Sequence, residues 1–195
     1  MGRRVGIDQT DITRAAARIA DRDGLDSATL TAVAGELGIR TPSLYNHVDG
    51  LAGMRRLLAL RGSAVLLEDF GDAVSGRSGA AALRAIARSY RAFVTAHPGL
   101  YASFLPAPEP GEDDVLYDAM AQPVHVVAGV LLEMGIPAGE SIHLIRALRS
   151  LLHGFLDLES KSGFGMPVDI DASFEAAIDL MISAANAVAR NPEKG

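Results

Sequence analysis

Apolar residues recur along this chain at helical spacing almost from end to end. Ile12, Ala15, Ala16, Ile19 and Ala20 follow the i, i+3, i+4, i+7, i+8 pattern of one helix face. Asp8 or Thr10 is placed to cap that helix, and Gly24 to end it. A second helix is predicted behind Thr29, with Leu30, Val33, Ala34 and Leu37 inward and Gly38 suited to the left-handed position at its end. Thr41 reads as the N-cap, and Pro42 as the first residue, of a third helix barely two turns long. Asp49 or Gly50 then opens a long helix to about Asp72.

After the turn Val74–Gly79, Leu83, Ile86, Ala87, Tyr90 and Val94 share one face of a helix that stops near His97-Pro98. "LYASFL" makes a short helix, and Pro106–Asp114 a Pro-rich, acidic, mobile loop. A helix from about Asp113 to Met134 contains Pro123 and is expected to kink or break there. Two more cover about Ala138–Lys161 and Ala172–Ala189. Alternating strand patterns, internal repeats and heptad runs are missing from the sequence. The predicted fold is all-α, with about nine helices. A head over residues 1–50 is joined by the helix over about 50–72 to a helical body over 51–195.

Charge sharpens this division. The net charge is −6, but residues 1–62 hold nine Arg against seven acidic residues, while the rest balances to −8. A basic head on an acidic body suggests that only the head meets an anion. The chain has no Cys, which excludes disulfides and thiolate chemistry. Its first ten residues lack the apolar run of a signal peptide, and no stretch approaches ~18 uninterrupted apolar residues. A cytoplasmic protein without a membrane partner is expected.

A short third helix buries little on its own. Helix two, a three-residue turn and helix three have the proportions of a helix-turn-helix, whose second helix enters the major groove of DNA. Leu44 and Val48 would hold it. Thr41, Tyr45 and His47 would meet phosphates; Ser43 and Asn46 would reach base edges; Arg40 and Pro42 complete the segment. A structural three-helix cap with a solvated polar face is the alternative.

The stretch "ITRAAARIADRDGLDSATLTAVAGELGIRTPSLYNHVDG" resembles the DNA-binding domain of the tetracycline-repressor (TetR) family, over about residues 8–58. The resemblance implies a regulator that binds double-stranded DNA as a homodimer. It also exposes a departure: the family's usual Lys after the recognition helix is Leu51 here. Arg55 or Arg56, a turn later, or Arg3 and Arg4 are the candidate substitutes. "YRAFVTAHPGLYASFL" and "LRSLLHGFLDLE" resemble the C-terminal domain called WHG, with Leu152-His153-Gly154 in place of Trp-His-Gly. This implies a ligand-sensing, dimerising body.

Within the body, Tyr90, Tyr101, Phe104, Met120, Val124 and His125 are candidates to line a pocket for a small apolar ligand. Ordinary core is the competing reading. The last two helices are apolar on more than one face, so Leu152, His153, Phe155, Phe174, Ile178 and Met181 are expected at a dimer interface. Ser150, His153 and Asp157 lie on one helix face and do not converge as a catalytic relay requires. No catalytic residues, metal site or cofactor are expected. The function read from the sequence is a ligand-released transcriptional repressor. The alternative is a helical enzyme or small-molecule-binding module with the head as an interaction domain.

Overall fold

The computed structural model describes residues 7–106, 108 and 111–190. Arg3 and Arg4, and the loop positions 107, 109 and 110, lie outside them. The described residues form eight α-helices and two short 3-10 helices, with no strand among them. The α-helices are α1 (Gln9–Asp23), α2 (Leu30–Leu37), α3 (Gly50–Val74), α4 (Gly79–Ala96), α5 (Pro98–Ser103), α6 (Asp114–Glu133), α7 (Ala138–Ser160) and α8 (Ile170–Arg190).

The chain divides into two compact units. The first takes in the residues up to Val65 together with Ala96–Met120, and the second Leu66–Thr95 with Ala121 onward. In the first, α1 starts on a capping box: the Asp11 amide donates to the Asp8 carboxylate, and the Asp8 amide to Asp11. All five residues of its predicted inner face are buried. Thr29 caps α2 through the Ala32 amide, and Gly38 ends it at φ +66°.

Helix α5 meets α1 at Gly99. A β-carbon there would stand 2.2 Å from the Ala20 carbonyl carbon, so only glycine permits the approach. The Asp21 carboxylate seals the joint by accepting from the Gly99 and Leu100 amides at 2.9 and 3.1 Å, with His97 Nδ1 at 3.2 Å from its other oxygen. These bonds satisfy amides that the first turn of α5 leaves open.

Of the kink or break expected at Pro123, the break does not occur: α6 continues as a helix through it. Proline removes the N–H that would serve the carbonyl four residues back, here that of Ala119. Buried Ser63 of α3 replaces it, donating from Oγ to the Ala119 carbonyl at 2.7 Å. The freed acceptor is thus satisfied from a neighbouring helix.

In the second unit the inner face of α4 carries Phe93, where the sequence pattern suggested Val94. Five arginine-centred ion pairs tie α4 to the acidic residues of α7 and α8, and Phe155 packs on Phe164 and Phe174 at 4.8 and 5.3 Å. Helices α6 and α8 are long and apolar enough to cross a membrane by length and composition. Yet α8 commits Asp171, Glu175 and Asp179 to these pairs with α4, which places it in a packed bundle.

Candidate nucleic-acid interface

The recognition segment Thr41–Asn46 is a 3-10 helix, not the α-helix the spacing suggested. Its start is also one residue earlier than expected. Arg40 holds the extended cap conformation without a side-chain capping bond, and Thr41 lies inside the segment. Short i+3 bonds close the segment: the Ser43 amide donates to Arg40, and His47 to Leu44. Six residues with an early proline leave few amides for the α pattern, and a 3-10 turn is the usual outcome for so short a piece.

Its orientation is set by two apolar anchors. Leu44 is 0% exposed and Val48 is buried. Gln9 of α1 adds a bond from its side-chain amide to the His47 carbonyl at 2.7 Å. With Leu44 inward, the polar residues turn outward: Tyr45 is 61% exposed, and Arg40, Pro42, Ser43 and Asn46 are exposed too. Thr41 and His47 are half-buried at the two ends. The seven residues singled out in the sequence therefore form one continuous segment. Glu36, the acidic residue in the last turn of α2, is engaged by Arg18 at 2.8 Å.

Leu51 is 40% exposed on the first turn of α3. The two arginines proposed to stand in for a lysine there are both engaged. Arg55 donates to Asp26 at 2.7 Å. Arg56 makes a two-pronged pair with Asp113, which also accepts the Leu116 amide at the start of α6. This pairing lowers the Asp113 pKa and raises that of Arg56, in each case chiefly through their shared hydrogen bonds. Arg56 thus serves the fold, and the charge pattern of the sequence could not reveal it, because its partner lies 57 residues away.

The candidate ligand residues fall in both units. In the first, Tyr101 and Phe104 are buried and meet edge to face at 5.8 Å. Phe104 also fills the space beside Gly62 of α3, and Met120 is half-buried. In the second, buried Tyr90 faces Phe70 at 6.4 Å, Val124 is half-buried and His125 is exposed. A small apolar cavity of about 20 Å³ lies among Leu83, Leu131, Leu148 and Ile178, and none of the six candidate ligand residues lines it.

Three of the six interface candidates must be reassigned. Leu152, Phe174 and Ile178 are 2%, 1% and 1% exposed within the chain's own core. They have no area left to give a partner. Phe155 and Met181 are half-buried and His153 is exposed. The exposed residues of α8 include Ala176, Leu180, Ser183, Ala184 and Ala187, beside Asp179; those of α7 include Ala147, Ser150, Gly154 and Leu158, beside Arg146, Arg149, His153 and Asp157. Asp157, on the same face as Ser150 and His153, pairs with Lys161.

Known proteins match most of the chain. The family model "Tetracyclin repressor-like, C-terminal domain" matches residues 83–181. The chain is 36% identical over 184 residues to YobS of Bacillus subtilis (strain 168), an HTH-type transcriptional regulator, covering 94% of this chain and 95% of that one. It is 33% identical to the HTH-type transcriptional regulator Rv0681 of Mycobacterium tuberculosis, over 86% of this chain and 77% of that one. Among solved structures, a TetR variant from Acinetobacter baumannii AYE in complex with minocycline superposes with a TM-score of 0.70 at 20% identity, over 94% of this chain and 98% of that one.

Proposed function

The chain belongs to the tetracycline-repressor family of transcriptional regulators, and on that premise we propose that it is a homodimeric repressor released from its operator by a small apolar ligand. It is a regulator and not an enzyme, as its relatives are. The observation that carries the DNA reading is the exposed segment Arg40–Asn46, anchored by Leu44 and Val48 with its polar side chains outward. Thr41, Tyr45 and His47 are assigned to phosphates, Ser43 and Asn46 to base edges. Arg55 is the reserve phosphate contact, since its pair with Asp26 is exposed and an exposed pair is worth little.

The dimer reading rests on the exposed faces of α7 and α8. Each carries small residues around one leucine, Leu158 or the 71%-exposed Leu180. Small side chains let helices approach closely, and a two-fold pairing of these faces would cover both leucines. The ligand reading rests on Tyr101, Phe104 and Met120 in the first unit. To release DNA, the ligand must prefer the non-binding geometry by about 1.4 kcal/mol for each tenfold shift.

The test is binding to a near-palindromic site in the DNA upstream of the gene. Thr41→Ala with Tyr45→Ala is expected to weaken binding to every sequence alike, while Asn46→Ala changes preference by about 1–3 kcal/mol at one base pair. Leu180→Glu is expected to sediment as a folded monomer that binds the palindrome poorly. A double variant at Thr41 and Tyr45 with unchanged affinity would refute the docking, and a monomeric wild type that still binds would refute the dimer.

A further inference from the structure

The second unit contains a cationic groove that DNA recognition does not use. Arg77, Arg84 and Arg88 line it together with Ala73, Ala81 and Ala85, and it holds about 510 Å³. Ala81, Arg84, Ala85 and Arg88 fall at the i, i+3, i+4, i+7 positions of a single face of α4. No carboxylate is among these lining residues.

Part of the cationic charge is committed to the fold. Arg84 bonds Glu175 and Asp179, and Arg88 bonds Glu175 through Nε. These bonds hold Arg84 and Arg88 firmly charged and draw the Glu175 carboxyl below its usual range, chiefly through Arg88. The remainder is available. A guanidinium carries five N–H donors, and these carboxylates take only some of them. Among the described residues Arg77 makes no ion pair; its Nη1 donates to the Ala73 carbonyl at 2.9 Å.

An interhelix clamp explains Arg84. Arg77 grips no other helix and caps the end of α3 through the Ala73 carbonyl, and neither role explains the alanines between the arginines. Methyl groups under a rim of guanidinium groups leave room for a ligand with an anionic end and a flat apolar body. Guanidinium pairs match phosphate oxygens in a two-pronged fashion, and the groove is open to solvent on one side.

We propose that the groove lined by Arg77, Arg84 and Arg88 binds a small organic phosphate of nucleotide size, its phosphates on Arg77 and Arg88 and its apolar part on Ala73, Ala81 and Ala85. The site is independent of the DNA and ligand readings above.

Calorimetric titration of the full chain at low salt, with ADP, pyrophosphate and adenosine as probes, tests this. ADP is expected to bind, more tightly than pyrophosphate, with adenosine giving no signal. Arg77→Ala and Arg88→Ala should each weaken ADP binding by about tenfold. Glu175→Gln should tighten it, because it returns donors of Arg84 and Arg88 to the groove. Arg77→Ala should leave the melting temperature unchanged, which separates ligand binding from the clamp. The proposal is overturned if ADP shows no binding at millimolar concentration, or if adenosine binds as well as ADP. It is equally overturned if pyrophosphate matches ADP, if the Arg77 variant binds as wild type does, or if Glu175→Gln weakens binding while the protein stays folded.

Discussion

The two units solve the same packing problem with different chemistry. In the first, close approach does most of the joining: Ala20 against Gly99, Gly62 against Phe104, and caps from Asp8, Asp21 and Thr29. In the second, Arg84, Arg88 and Arg91 of α4 reach across to four carboxylates, and Arg91 also lies over the Phe174 ring at 4.8 Å. The contrast follows from where the polar residues are needed. The first unit keeps the polar residues of Arg40–Asn46 facing outward and is closed mainly by backbone contacts and caps, with the Arg18–Glu36 and Arg56–Asp113 pairs beside them. The second has an excess of acid and uses it to clamp its own helices.

Substitution at Gly99 challenges that distinction most severely. Gly99→Val places a branched side chain against the Ala20 backbone, and overpacking of this kind costs about 1–3 kcal/mol or more. Urea unfolding should show the loss, whereas Gly139→Ala, with nothing within 4 Å, should be neutral or mildly stabilising. An unaffected Gly99→Val protein would mean that α1 and α5 are not tightly joined.

A smaller effect is expected at Ser63. Ser63→Ala leaves the part-buried Ala119 carbonyl without its donor, at about 1–3 kcal/mol. Adding Pro123→Ala restores the missing helix N–H, so the double variant should lose less than the sum of the two single changes. Additive losses in a double-mutant cycle would show that Ser63 does not compensate for the proline.

The mildest perturbation is acid. The Glu175 and Asp113 carboxyls are lowered by Arg88 and Arg56 respectively. A folded pKa below the unfolded one means that folding favours the ionised form. The contribution is therefore complete above the unfolded carboxyl range, about pH 4, and is lost as the pH falls through the lower folded values. Melting temperatures between about pH 5 and 2 should fall less steeply for Glu175→Gln than for wild type; parallel curves would mean that the Arg84–Arg88–Glu175 cluster adds nothing.

Local periodicity made the helices legible. The inner faces of α1 and α2, their caps and Gly38 were all readable, because each depends on residues within one or two turns. The recognition segment was legible as a segment, since Thr41-Pro42 and the anchors Leu44 and Val48 are near neighbours. Its 3-10 form was not predicted, although the causes are local: six residues with an early proline leave few amides for the α pattern.

Everything that depended on distant partners was decided by tertiary structure alone. Pro123 predicted a kink or break, and Ser63, 56 residues before the freed carbonyl of Ala119, lets the helix continue. Arg56 looked free for DNA until Asp113 reached it. Leu152, Phe174 and Ile178 had the pattern of residues seeking a partner, and found it inside their own chain. A sequence displays how apolar a helix face is, but which neighbour covers that face is set by packing across the chain. The residues left outward, Leu158 and Leu180 among alanines and serines, became visible only after the core had claimed the others.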